Sequence, residues 1–120
     1  MSRIAEWCQR YVGTPYSELN CWELCRKIFA TEFGINIGPV EEQRYAMQDR
    51  HWIDIQDGGI APREGDVILF KDSPVNRHVA ILLDDIYMIH SQKGMNCCIE
   101  SWRSRAWKNR IVGIYRHRER

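Results

Sequence analysis

Apolar positions recur with a helical period in the first third of the chain and with a strand-like period in the second half. Ser2 to Tyr11 reads as an amphipathic helix, with Ile4, Ala5, Cys8, Tyr11 and Val12 on one stripe, and Gly13-Thr14-Pro15 breaks it. Asn20 then has the character of an N-cap, with Glu23 three positions on in a variant of the capping box. Cys21, Cys25, Ile28, Phe29 and Glu32 share one face of the helix that follows, and Gly34 ends it. Residues Pro39 to Asp49 are expected to form a further, mostly polar helix, and Arg50 to Pro62 an irregular stretch with a turn at Asp57-Gly58-Gly59. Beyond it the pattern predicts five strands: Asp66–Phe70, His78–Leu83, Tyr87–Ser91, Cys97–Glu100 and Ile111–Arg116. Asp84-Asp85 is the expected tight connection between the second and third. Helices first and antiparallel strands after them make an α+β fold.

A chain of 120 residues is one domain's worth, so residues 1–120 are expected to be a single domain. Its hydrophobic content of 44% and charged content of 28% are those of a globular protein with one modest core. A net charge of +1 argues against nucleic acid as the main partner, and the basic run Arg116 to Arg120 reads as a solvated terminus. The start "MSRIAEWCQRYV" has no apolar signal region, and the longest apolar run, Val79 to Leu83, falls far short of the ~20 residues a membrane helix needs. The expectation is therefore synthesis in a cytosol, no membrane insertion, and delivery by some other agent if the protein acts outside. The five cysteines are an odd number, so at least one cannot pair within the chain, and in a reducing compartment all are thiols. Cys21 and Cys25 lie one helical turn apart, a spacing that can chelate zinc, but no CxxC occurs and the spacing does not recur, so no metal or other cofactor is expected. Cys8, Cys97 and Cys98 read as core or surface thiols, Cys25 as core, Asp66 as an anchor for the first strand, and His51 and His117 as solvent-facing.

The hairpin around Asp84-Asp85 carries a histidine on each strand, and its centre sets His78 and His90 across from one another on the same face. Cys21 supplies a third member. A helix N-terminus favours an anion and so favours the thiolate of a cysteine placed there. Covalent catalysis needs a nucleophile, a base beside it and a group that orients the base. Cys21, His78 and His90 fit those roles in that order. Backbone N–H groups of the same helix could stabilise an oxyanion, with Tyr16 as a further hydroxyl donor, and Trp22 is expected in the wall of the site or in the core.

In "YVGTPY", "NCWELCRKIF", "REGDVILF", "HVAILLDDIYMIHS" and "RIVGIYRH" the chain resembles the NlpC/P60 cell-wall peptidases, a papain-like superfamily. The tryptophan directly after the cysteine is similar to the phage-tail-associated branch of that family. The resemblance implies a nucleophile helix packed on an antiparallel sheet. It also implies hydrolysis of amide bonds in peptidoglycan stem peptides, commonly between γ-D-glutamate and a diamino acid. By position it makes Cys21 the nucleophile, His78 the base and acid, His90 the orienting residue and Tyr16 an oxyanion donor. Phage tail proteins become possible partners, and a virion tail or the cell wall the place of action. Three features depart from the family pattern: Asn20 stands where aspartate is usual, the glycine-rich stretch before the cysteine is replaced by the shorter "SELN", and Glu23 and Cys25 replace smaller or apolar residues. The altered loop keeps open an alternative, a catalytically silent tail-assembly or peptide-binding module of the same fold.

Overall fold

A computed structural model describes residues 6–39, 46–74 and 76–120. Six strands form one sheet: β1 (Trp52–Asp54), β2 (Val67–Lys71), β3 (Arg77–Leu82), β4 (Tyr87–His90), β5 (Cys98–Ser101) and β6 (Ile111–His117). Their order is β1-β6-β2-β3-β4-β5, with every neighbouring pair antiparallel. Helix α1 (Cys21–Ile28) covers one face and the short α2 (Arg105–Lys108) lies before β6. This is the expected α+β arrangement.

Helix α1 starts where the cap chemistry places it. The Asn20 side chain accepts the Glu23 N–H at 2.9 Å, and the Asn20 carbonyl accepts the Leu24 N–H at 2.8 Å. A cap of this kind contributes about 1 kcal/mol. Beyond Ile28 the chain widens into one π-helical turn, Phe29–Phe33, and Gly34 closes it at φ 67°, a left-handed conformation that glycine takes without strain. Cys25, Ile28 and Phe29 are fully buried, as the shared face requires. Glu32, on the same stripe, is held by the Tyr11 hydroxyl at 2.6 Å and by Arg10.

Alternation along β2 and β3 sends side chains to two cores. Val67, Leu69, Val79, Ile81 and Ile89 face α1, whereas Ile68, Phe70, Ala80, Leu82 and Met88 face Trp102 and Trp107. The sheet is therefore buried on both sides at its centre. At the start of β2, Asp66 is 1% exposed and receives two hydrogen bonds from Arg116, both 2.8 Å, and one from the Arg63 N–H at 2.9 Å. It anchors the strand, as expected from its place in the chain.

Five expectations need correction. The described part of the first helix, Glu6–Arg10, is a single 3-10 turn, with Ser2 to Ala5 outside the described residues, and Val12 is exposed rather than part of a buried stripe. The helix expected over Pro39 to Asp49 falls mostly outside the described residues, and residues 46–49 form a turn and loop. The stretch taken as irregular contains β1, whose Trp52 pairs with His117 of β6. That strand covers β6, so His117 is buried rather than solvent-facing. The β3–β4 hairpin is centred on Asp85, with Ile81 opposite Ile89 and Leu82 opposite Met88. The Asp84 carboxylate accepts the N–H groups of Ile86 and Tyr87, which adds one residue to the connection. His90 therefore meets His78 diagonally, still on the same face, since a two-residue offset preserves side-chain parity.

Candidate active site

The cleft that holds Cys21 lies at the end of the sheet where β2 stops, β3 begins and β4 stops. It encloses about 350 Å³, and Tyr16, Cys21, Asp72, Arg77, His78 and Lys93 are among its walls. Each wall is fixed by backbone or buried side-chain bonds. The segment before the helix is stitched to the residues before β5 by Gly13 N–H to Cys97 carbonyl at 2.8 Å and Cys97 N–H to Thr14 carbonyl at 2.7 Å. Glu18 and Leu19 N–H groups fold back on the Pro15 carbonyl, so "SELN" is a tight turn delivering Cys21 to the first residue of α1. The Ser91 hydroxyl, just past β4, donates to the Leu19 carbonyl at 2.7 Å and ties that turn to the histidine hairpin.

Behind the cleft wall, three side chains form a line. His78 Nε2 is 2.8 Å from His90 Nδ1, and His90 Nε2 is 2.6 Å from Glu100 Oε2. His90 is 0% exposed, with Trp107 edge-on at 5.1 Å between ring centres, so its ring has no freedom to turn. Burial pushes His78 down to about 3, with smaller contributions from His90 and Arg110. Burial also lowers His90, an effect partly offset by Glu100. Both rings are thus neutral near pH 7, each with one ring proton.

The carboxylate then assigns both protons. Glu100 can only accept, so His90 carries its proton on Nε2 and presents a bare Nδ1. That nitrogen accepts from His78, which places the second proton on His78 Nε2. His78 Nδ1 is left with a lone pair, on a ring that lines the cleft with Cys21. The line of residues sets a base in the form needed to take a thiol proton, with a carboxylate at its far end to balance the imidazolium that results.

The sequence did not point to Glu100. The signal was in the register of β5: Cys98 pairs with His90 and Glu100 with Met88, so both lie on the face of His90. A strand had been expected there, but without a turn centre to align it. Tyr16 is in the cleft wall, and its phenol is raised by burial and by Cys21 and Asp72, so it stays protonated and able to donate. Trp22 is elsewhere. It is 6% exposed, donates to the Gly38 carbonyl at 2.9 Å, and lines a separate cavity of about 300 Å³ with Met47, Trp52 and His117. Cys25 is buried one turn below Cys21, and burial drives its thiol well up, so it is inert. Among the described residues no helix is long and apolar enough to cross a membrane.

A helix-borne cysteine opening on a cleft shared with a buried histidine line, all on an antiparallel sheet, is an arrangement that can support covalent chemistry through a thiol. The profile of the NlpC/P60 family matches residues 8–116, and the chain belongs to that family. Among solved structures, an NlpC/P60 family protein from Bacillus cereus ATCC 10987 superposes with a TM-score of 0.71 at 19% identity, over 92% of this chain and 37% of that one. A protein from Staphylococcus aureus subsp. aureus Mu50, described as similar to a lipoprotein of the NLP/P60 family, gives 0.65 at 23% identity, over 92% of this chain and 38% of its own. At these identities the likeness is one of fold, and the chain spans less than two fifths of either protein. No curated protein matches it.

Proposed function

We propose that the protein is a cysteine amidase or endopeptidase acting on peptidoglycan stem peptides, at the bond between γ-D-glutamate and the diamino acid. The observation that carries this reading is the single cleft walled by Cys21, Tyr16 and His78, with His78 oriented from behind by His90 and Glu100. In the first half-reaction the Cys21 sulfur attacks the peptide carbonyl and His78 Nδ1 takes the thiol proton. The tetrahedral oxyanion is met by the Tyr16 hydroxyl and N–H groups of the first turn of α1. His78 returns the proton to the leaving amine, which departs and leaves a thioester. In the second, His78 removes a proton from water, which attacks the thioester, and the thiol is regenerated with the new carboxylate. Arg77 and Lys93 on the cleft wall suit a substrate that carries carboxylates, as a D-glutamyl stem peptide does.

The test is digestion of purified cell walls by wild type and Cys21→Ala, with released fragments identified by mass spectrometry. Wild type should release fragments that begin with a new free amine on the diamino acid and leave glutamyl carboxylates on the wall, and the variant should be slower by about a thousandfold or more. Wild-type protein that binds wall fragments yet cuts none of several wall chemotypes would instead identify a silent binding module. We further propose a place among phage tail proteins, a reading supported by Trp22 directly following the nucleophile. Proteomics of purified virions tests it, and virions without the protein would defeat it.

A further inference from the structure

Next to the histidine line, at the His90 nitrogen opposite the one that meets His78, Cys98 completes a cluster of three different donor atoms. Cys98 Sγ is 3.6 Å from His90 Nε2 and 3.9 Å from Glu100 Oε2, and the two latter atoms are 2.6 Å apart. The strand register makes this arrangement. Cys98 lies directly across from His90 on the edge strand β5, and Glu100 follows two residues later on the same face.

We propose that His90, Cys98 and Glu100 form a binding site for a borderline-soft divalent cation, zinc above all, and that its occupancy silences the Cys21–His78 site. The inhibitory half rests on the hydrolase reading given above; the binding half does not. A tetrahedral zinc with bonds of about 2.0–2.3 Å holds its ligand atoms about 3.3–3.6 Å apart. The sulfur already stands near those distances from both partners. Only the carboxylate oxygen must draw back from His90, by less than about 1 Å, as the ion replaces the proton between them. The Glu100 side chain is 40% exposed and Cys98 is half-buried, so an ion and a water in the fourth position reach the site from solvent. His90 contributes a ring already fixed by Trp107 and His78. One nitrogen, one sulfur and one carboxylate oxygen suit zinc and related ions; calcium and magnesium prefer all-oxygen shells.

The effect on the cleft follows from proton positions. A metal on His90 Nε2 occupies the nitrogen that otherwise donates to Glu100, and the neutral ring must carry its proton on Nδ1. That nitrogen now donates to His78 Nε2, so the His78 proton moves to Nδ1 and fills the lone pair that serves as base. Each ring holds one proton before and after. The net change is one proton released to solvent, that of the Cys98 thiol, as the thiolate becomes a ligand.

The experiment titrates cobalt(II), a spectroscopic stand-in for zinc, into metal-free, reduced protein and follows the thiolate-to-cobalt charge-transfer band. Wild type and Cys21→Ala should both give the band at one equivalent, and Cys98→Ser should lose it. A band that survives in Cys98→Ser and vanishes in Cys21→Ala would put the ion on the nucleophile and overturn the site, as would no band up to millimolar cobalt. Zinc is then added to protein carrying 15N-labelled histidine, and the ring tautomers are read by long-range 1H–15N spectra, a readout independent of turnover. The His78 proton should move from Nε2 to Nδ1 in wild type and stay in Cys98→Ser. Binding through Cys98 without that shift would overturn the switch. If the tautomer shifts but wild-type protein cuts no wall substrate, the site stands and the hydrolase reading fails. In an active protein, zinc inhibition should be at least tenfold weaker in Cys98→Ser.

Discussion

His78 and His117 are equally buried, each 6% exposed, and both lie on strands against aromatic rings. Phe70 and Trp107 lie 6.1 and 5.4 Å from His78, measured between ring centres; Trp52 and Phe29 lie 5.0 and 6.2 Å from His117. Burial lowers the proton affinity of both. What separates them is the next neighbour. His78 hands its Nε2 proton into a second imidazole that ends on a carboxylate. At His117, Nδ1 accepts the Glu119 N–H at 3.2 Å, a local bond two residues away, and the ring at 6.1 Å, exposed His51, lies parallel to it. On the proposed function, a buried histidine serves as a base when a distant acceptor fixes which nitrogen is bare. At His117 the hydrogen bond among the described residues is the local one to Glu119, and the ring packs against aromatic neighbours.

The sharpest way to break the comparison is to make one substitution at both positions. His78→Ala should lower wall-peptide turnover by about a thousandfold or more, since both proton transfers lose their carrier. It should also slow alkylation of Cys21 by iodoacetamide. Equal turnover in His78→Ala and wild type would remove His78 from the chemistry. Next in size is Glu100→Gln. The amide can meet His90 with either its N–H or its carbonyl, so the tautomer is no longer set, and no charge remains to balance the imidazolium. We expect kcat to fall about 10- to 100-fold with KM held, a loss of about 1.4–2.7 kcal/mol in the barrier. Partial recovery in Glu100→Asp would distinguish orientation from simple packing. His117→Ala should do the reverse of His78→Ala. It leaves a hole beside Phe29 and Trp52 and should cost about 2 kcal/mol, a fall in Tm on the order of 10 °C, with kcat near wild type.

Most of the site was legible because it depends on short-range rules. The Asn20 cap fixes Cys21 at the head of its helix, and the hairpin centred on Asp85 gives His78 and His90 the same side-chain parity, so they share a face. Direct pairing of the two histidines and the observed two-residue offset have the same parity, so the pair was found although its register was off. Glu100 and His117 depend on longer-range pairings. Glu100 gains its role only through the β4–β5 register, across the connection from Ser91 to Cys97 that carries no compact turn signal. His117 is covered by Trp52, in a three-residue strand too short to leave a periodic trace, 65 positions away in the sequence. Trp22, adjacent to Cys21 in sequence, points to another cavity because successive helix residues are about 100° apart around the axis.

The smallest effect in the comparison is on stability against pH. Burial lowers His117, with His51 adding to the effect and Glu119 and Asp49 opposing it. Its folded form therefore holds fewer protons than the unfolded chain once the pH drops below the ordinary imidazole value of about 6.5. Stability contributed by the neutral ring is fully present above that pH and is lost as the pH falls toward the lowered folded value. His117→Phe keeps an aromatic ring against Phe29 and Trp52 and removes the titration. Urea midpoints from pH 7.5 down to 5 should fall less steeply in His117→Phe than in wild type, while the two activity profiles over the same range should share one shape. A matching slope in the two proteins would mean that His117 takes up its proton without leaving its aromatic setting, and that packing alone does not hold an imidazole neutral here. A changed activity profile would link the Trp22 cavity to the cleft, and the division between the two histidines would no longer hold.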